Sequence, residues 1–172
     1  MSNSEISRIE NGQLGSVGFV VVVQLLSTVG LELAARAYPI GGGVRDRGQL
    51  PLLGRLRHRV GDAFAWRNEV PVPIAGDLRA WDAALFGNDL RIGIEAEARL
   101  RDIQSVDRRV MLKLRDSGWD RAILLVSATR SNRLVLREHG EALTANYPIP
   151  QRQALKALHA GADPGGNCLI VL

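Results

Sequence analysis

Residues 90–97 have the sequence LRIGIEAE, in which apolar residues at positions 90, 92 and 94 alternate with polar or small ones. This period of two is typical of a β-strand, and the preceding Gly87-Asn88 pair predicts a hairpin with a strand over Asp77–Phe86. From Leu100 to Leu114 the apolar residues follow helical spacing instead. The next segment, Arg121–Ser127, contains the continuous apolar run AILLV, which is expected for a strand buried on both faces.

The segments on either side complete a layered structure. We expect helices over Gln49–Val60, Ser131–Leu143 and Pro150–Ala160, and strands over Ala63–Ile74 and Cys168–Leu172. Helices and strands alternate along this part of the chain. Residues 44–172 are therefore predicted to form one α/β domain.

Residues 1–43 predict a small, mainly helical segment. A first helix is expected to end at Asn11-Gly12, and a second to run from Ser16 to Thr28. A strand over Leu31–Tyr38 and a linker at Gly41–Gly43 would then lead to the domain boundary. Because the second helix is apolar on nearly every side, we expect it to be buried or to form a homodimer interface.

Composition excludes several classes of protein. The chain has 172 residues, of which 46% are hydrophobic and 23% charged, so neither a disordered chain nor a fibre fits. No apolar run approaches the roughly 20 residues of a membrane-spanning helix, and the acidic start with Glu5 and Glu10 is unlike a secretory signal. The single cysteine, Cys168, excludes an internal disulfide framework and a cysteine-built zinc site. We therefore expect a cytoplasmic protein.

Charge is unevenly distributed along the chain. Residues 45–67 carry a net charge of +4, residues 68–107 carry −4, and residues 108–172 carry +5. Of the 22 basic residues, 20 are Arg, which favours bidentate contacts with phosphate and carboxylate, although a GC-rich genome gives the same bias. An acidic segment between two basic ones is the pattern of a metal-centred site on a phosphate-binding surface, and it also arises by chance in many domains.

The acidic segment contains candidate metal ligands. Glu95 and Glu97 are two residues apart in a strand, so their side chains share a face, and Asp77 at the start of the preceding strand can lie beside them. Carboxylate oxygens are the ligands that Mg²⁺ prefers. The alternative is a solvated helix start, because Glu95 with Arg99 and Glu97 with Arg101 are also i, i+4 pairs.

Three short segments, GDLRAW (76–81), IGIEAE (92–97) and LRDIQ (100–104), together resemble the restriction-endonuclease-like core of the PD-(D/E)XK nucleases. In that family an Asp opens the second core strand, an E-x-K tripeptide ends the third, and a Gln often follows on the next helix. The resemblance covers roughly residues 48–130. It implies a mixed sheet flanked by helices, with Asp77 and Glu95 as Mg²⁺ ligands and Gln104 as the helix residue.

One position departs from the family pattern. Where the family has Lys, which helps to polarise the attacking water, this chain has Glu97. Either a basic group from elsewhere, with Arg99 and Arg101 as candidates, replaces that Lys, or the domain does not cleave DNA. We therefore take Asp77, Glu95, Glu97 and Gln104 as the candidate catalytic set, although Gln104 by itself is more simply explained as an ordinary helix residue.

The N-terminal segment SEISRIENG (4–12) is similar to the recognition helix and exit turn of phage-repressor-like (Cro/C1-type) helix-turn-helix domains. The resemblance implies that residues at the start of this helix approach DNA in the major groove, namely Ser2, Asn3, Ser7 and Arg8. The preceding helices of such a domain are absent, so the motif is expected to be N-terminally truncated. A simple capped amphipathic helix is the alternative.

These features predict a DNA-binding, regulator-like protein with a degenerate nuclease-like domain, whose Arg-rich segment with Arg55 and Arg59 contacts phosphates. An active Mg²⁺-dependent DNA endonuclease is the first alternative. A protein-interaction and dimerisation module without DNA binding is the second.

Overall fold

The computed structural model describes residues 3–13, 17–31 and 46–172. The chain divides into two compact units, residues 1–39 and 40–172. Apart from Leu31, the predicted strand over Leu31–Tyr38 lies outside the described residues, as does the Gly41–Gly43 linker.

The N-terminal unit contains two helices, α1 (Asn3–Glu10) and α2 (Phe19–Thr28). As predicted, α1 ends at Asn11-Gly12, where the positive φ of 66° at Gly12 is compatible with glycine. None of the side chains of α2 is buried, and Phe19 and Val20 are 62% and 67% exposed. The expectation that α2 is covered by its own chain is therefore not met within the described residues.

The larger unit is a five-stranded mixed sheet flanked by helices. Its elements are α3 (Asp46–Arg57), β1 (Ala65–Pro71), β2 (Ala80–Gly87), β3 (Leu90–Glu97), α4 (Ile103–Ser117), β4 (Arg121–Val126), α5 (Arg130–Asn146), α6 (Gln151–His159) and β5 (Cys168–Val171). The strands lie in the order β1-β2-β3-β4-β5. β1, β2 and β3 are antiparallel neighbours, whereas β3, β4 and β5 are parallel. The predicted α/β class is confirmed.

Two apolar cores lie on opposite faces of this sheet. On one face α3 and α6 pack on Ile123 and Leu125 of β4; on the other, α4 and α5 pack near Leu124 and Val126. All four of these β4 side chains are fully buried. The prediction of a strand buried on both faces is therefore confirmed, since each face of β4 is covered by helices.

The hairpin between β2 and β3 forms close to the predicted turn. Asn88 and Asp89 are the turn residues, with φ angles of 51° and 58°, and Gly87 pairs with Leu90. Positive φ at two successive residues is the geometry of a type I′ hairpin turn, which suits the right-handed twist of the strands. The turn thus lies one residue later than the Gly87-Asn88 pair predicted.

The start of the second strand differs from the prediction. β2 begins at Ala80, so Asp77 lies in the connection from β1 and does not open the strand. The reason is a local turn: Gly76 has a φ of 79°, and the Arg79 amide donates to Asp77 Oδ1 over 2.9 Å. This shift changes which acidic residue lies next to β3.

Candidate functional site

An acidic centre forms where β2 and β3 stop pairing. Their register runs from Gly87 and Leu90 to Ala83 and Ile94, so the next residues are Asp82 and Glu95. Asp82 Oδ2 accepts a hydrogen bond from the Ala96 amide over 2.7 Å. A side-chain oxygen is therefore the acceptor for a β3 amide at the point where the ladder ends.

Glu95 is buried and paired with two cations of α4. Its side chain is 5% exposed; Oε1 accepts from Arg109 Nε over 2.9 Å and Oε2 from Lys113 Nζ over 2.6 Å. Arg109 and Lys113 are four residues apart, so they lie on one face of α4. A buried carboxylate is tolerated only when it is paired, and both oxygens of Glu95 are.

The pairing extends to β2 and to the end of β3. Arg109 Nη2 also contacts Glu97 Oε1, and Lys113 Nζ donates to the Ala80 carbonyl over 2.6 Å. The ammonium of Lys113 additionally lies 5.6 Å from the centre of the Trp81 ring. We call Glu95, Glu97, Arg109 and Lys113 the paired cluster.

Asp82 lies beside the paired cluster but is not part of it. The pKa of Asp82 is raised to about 7, mainly by burial and to a lesser extent by the negative charge of Glu95. The hydrogen bond from the Ala96 amide opposes this rise. Asp82 also lines a cavity of about 150 Å³, together with Gln49 and Glu69. Asp82 is therefore the acidic residue of this centre that faces an open space.

Asp77, the predicted metal ligand, belongs to a different ion-pair group. Both of its carboxylate oxygens accept hydrogen bonds from Arg79, which also pairs with Asp116 over 2.6 Å. The hydrogen bonds from the Arg79 side chain are the main reason that the pKa of Asp77 is lowered. Among the described residues, Asp77 is therefore paired with Arg79 and makes no hydrogen bond with Glu95 or Glu97.

The carboxylates as paired do not fit a divalent cation. Among the described residues, no three His, Cys, Asp or Glu side chains form a group that could hold a metal ion. Glu95 would have to exchange Arg109 and Lys113 for the ion. The Mg²⁺ site predicted on Asp77 and Glu95 stays a prediction, and it requires these ion pairs to open.

Within the described residues, the other predicted catalytic residue and the candidate replacements for the missing Lys make no hydrogen bond or ion pair with the paired cluster. Gln104, in the first turn of α4, is exposed, and so are Arg99 and Arg101. A different glutamine contacts the centre: Gln49 Nε2 of α3 donates to the Ala96 carbonyl over 2.6 Å. The cation that does lie beside Glu95 is Lys113.

The predicted DNA contacts are in both units. Ser2 lies outside the described residues and Asn3 opens α1, while Ser7 and Arg8 are exposed on α1. In the larger unit Arg55 and Arg59 are exposed, and the Arg55 guanidinium donates to the Leu172 carbonyl over 3.2 Å. These positions leave the basic side chains accessible to a ligand.

Three residues of the centre are absent from the sequence-based set: Asp82, Arg109 and Lys113. Two of them leave a signal in the sequence. Asp82 is an acidic residue within an otherwise apolar run, WDAALF (81–86), and Lys113 is one of only two lysines among 22 basic residues. These two residues could be identified from the sequence as a lone charge in a predicted strand and as a lysine in a chain that otherwise uses arginine.

Comparison with known proteins gives no match: no protein-family model, no curated protein and no solved structure is significantly similar to this chain. Within the described residues, no helix is both long and apolar enough to cross a membrane.

Proposed function

We propose that this chain is a DNA-binding, regulator-like protein whose larger unit resembles a nuclease domain but keeps its acidic centre paired with its own cations. The observation that carries the proposal is Glu95. Both oxygens of this buried carboxylate accept hydrogen bonds from α4, one from Arg109 and one from Lys113. The charge of the carboxylate is thus compensated by side chains of this chain, without a metal ion.

The order of elements supports the resemblance to the PD-(D/E)XK core. α3 is followed by three antiparallel strands, then by α4 and by β4, which is parallel to β3. An acidic residue lies on the second strand and another near the end of the third, as the resemblance implies. The second-strand residue is Asp82, which we assign in place of Asp77.

We expect the centre not to cleave DNA. Phosphodiester hydrolysis needs a cation or a hydrogen-bond donor free to act on the attacking water and on the developing negative charge. Glu97 is an anion where the nuclease family has Lys, and Arg109 is held between Glu95 and Glu97. An extra carboxylate would also repel the scissile phosphate.

Exposed arginines in each of the two units support DNA binding. The chain carries a net charge of +4, and arginines such as Arg8, Arg55 and Arg59 are exposed. Arginine contacts to phosphates release counterions, so binding of this kind is sensitive to salt and largely independent of sequence. We therefore expect nonspecific DNA binding by this chain.

A second candidate function is Mg²⁺-dependent DNA cleavage, and Lys113 favours it. The Lys that the family has at position 97 is missing, but the ammonium of Lys113 reaches Glu95 from α4 over 2.6 Å. For this function, Lys113 of the neighbouring helix supplies the positive charge that the family has as Lys at position 97. For this function Glu95 must release its cations.

One experiment separates the two functions. Fluorescence anisotropy with a 20-bp duplex at about 50 and 200 mM salt measures binding, and plasmid incubated with Mg²⁺ or Mn²⁺ measures cleavage. The variants are Asp82→Asn and Glu95→Gln, with Glu141→Gln as the matched control, because Glu141 is an exposed acid on α5. We expect salt-sensitive binding and intact plasmid.

The results are decisive in both directions. Absence of binding at 50 mM salt contradicts the proposed function. Cleavage that disappears in Asp82→Asn and Glu95→Gln, but not in Glu141→Gln, replaces it with the nuclease function. Cleavage that survives in all three variants identifies a contaminating nuclease.

We also propose that the protein is a homodimer that pairs through α2. Phe19 and Val20 are more than half exposed, and exposing large apolar side chains costs about 1.5–3 kcal/mol each. The same surface favours the remaining alternative, a protein-interaction module without DNA binding. Light scattering at micromolar concentration tests the dimer, and a monomeric mass excludes it.

A further inference from the structure

A groove of about 720 Å³ lies along α5. It is lined by Arg130, Arg133 and Arg137, together with Leu136 and Val171. The three arginines occupy positions i, i+3 and i+7 of one helix, so they share a face and span about 10.5 Å along the helix axis. The groove is thus a row of guanidinium groups beside an apolar floor.

The groove lies at the carboxyl ends of the parallel strands. Ser127, directly after β4, donates its amide to the Glu97 carbonyl over 3.0 Å, and the Ala128 amide donates to the Leu172 carbonyl over 2.7 Å. Thr129 then caps α5, since its hydroxyl accepts from the Asn132 amide over 3.2 Å. Open α/β sheets bind ligands at the carboxyl ends of their strands, and the N-terminus of a helix there favours anions.

The charges of the groove are not compensated within the described part of the chain. Arg130, Arg133 and Arg137 are exposed, and none of their guanidinium groups makes an ion pair or a hydrogen bond there. By contrast, Arg79 and Arg121 are both paired with carboxylates. Three unpaired cations in a concave surface attract an anion with several negative charges.

The chemistry of the lining narrows the class of ligand. Guanidinium groups bind phosphate oxygens in a bidentate way. Successive arginines are about 4.5 and 6 Å apart along the axis of α5, which is comparable to one or two nucleotide steps of a strand. Among the described residues, no aromatic side chain on which a base could stack lines the groove.

We propose that this arginine groove holds the phosphate backbone of one nucleic-acid strand and makes no contact that distinguishes bases. The inference rests on the proposed function, because it states where the DNA is held. It adds that the nucleic-acid strand runs along α5, at the same end of the sheet as Glu97.

The test compares two double variants of equal charge. Arg133→Ala/Arg137→Ala removes two groove arginines, and Arg91→Ala/Arg152→Ala removes two exposed arginines that do not line the groove. Binding of two 20-bp duplexes of unrelated sequence is measured by anisotropy between 50 and 200 mM salt. Circular dichroism melting checks that each variant is folded.

We expect the groove variant to bind both duplexes about 10- to 100-fold more weakly, with the slope of log K against log salt reduced by about 2, and the control to change less than about threefold. Inorganic tripolyphosphate is added as a competitor to separate a strand from a free polyphosphate. It should not displace the duplex at equal phosphate concentration.

Each outcome has one meaning. If the unmodified protein binds DNA and the groove variant binds equally well, or no worse than the control, the groove inference is wrong and the proposed function stands. If the unmodified protein binds no DNA at 50 mM salt, both are wrong. Displacement of the duplex by tripolyphosphate at equal phosphate concentration contradicts a nucleic-acid strand as the ligand and identifies a free polyphosphate instead.

Discussion

The cations of α4 and those of α5 are used in opposite ways. Lys113 and Arg109 on α4 point at carboxylates of β3, and the Lys113 side chain is 6% exposed. Arg133 and Arg137 on α5 line an open groove and contact no carboxylate among the described residues. The same charge therefore stabilises the fold in one place and is available to a ligand in the other.

The difference follows from where the carboxylates lie. β3 carries Glu95 and Glu97 toward α4, and their charges must be neutralised because Glu95 is buried. The strand that precedes α5, β4, has only apolar residues after Arg121 and offers its helix no partner. Pairing, more than the number of basic residues, thus separates structural cations from candidate binding cations.

The largest expected effect is on Lys113. Lys113→Ala should lower the free energy of unfolding by about 3–5 kcal/mol, because it leaves the buried Glu95 carboxylate without one of its two cations. Urea denaturation followed by tryptophan fluorescence measures this.

The double variant Lys113→Met/Glu95→Gln is the control, since it removes both charges of the pair and keeps similar volumes. It should recover most of the lost stability. If Lys113→Ala unfolds at the same urea concentration as the unmodified protein, the pair is not a structural element and the comparison with α5 fails.

The second effect concerns the pH dependence of stability. The folded-state pKa of Asp82, about 7, lies above its value in an unfolded chain, 3.8. The folded state therefore holds this proton more tightly, so its contribution is present below about pH 4 and is lost as pH rises to about 7. Because one pKa unit corresponds to about 1.4 kcal/mol, we expect a loss of at most about 4 kcal/mol across this window.

Asp82→Asn isolates the contribution, because Asn keeps an oxygen for the Ala96 amide and cannot ionise. The stability difference between Asp82→Asn and the unmodified protein should grow from pH 4 to pH 8, in favour of the variant. A difference that is constant with pH would show that Asp82 has an ordinary pKa.

The elements that could be predicted from the sequence are those with a strong local pattern. The continuous apolar run of β4 and the helical spacing of α4 each identify their element without knowledge of its neighbours. The end of α4 also has a local signal, because a glycine, Gly118, follows its last residue. Gly118 adopts the left-handed conformation that ends a helix, with a φ of 60°.

The acidic centre could be predicted only in part, because its partners are set by tertiary contacts. Glu95 and Glu97 were identified from their strand, but whether Asp77 or Asp82 lies beside them depends on where β2 begins. That start is set by the turn at Gly76 and the Arg79 contact. Likewise, nothing local shows that α4 crosses β3 with Lys113 toward Glu95.

The smallest expected effect is the change in the free energy of unfolding when two arginines of the groove are removed. Arg133 and Arg137 are exposed and four residues apart on α5, so they repel each other across one helical turn. Arg133→Ala/Arg137→Ala should change the free energy of unfolding by less than about 0.5 kcal/mol, because the repulsion that is removed is offset by loss of the i, i+4 attraction between Arg137 and Glu141. Urea denaturation at about 10 and 500 mM salt measures it, and the change should stay small at both because screening weakens both interactions. A loss of more than about 1 kcal/mol would mean that these arginines hold the fold together as Lys113 does, and that the two helices do not differ in the way their charges are used.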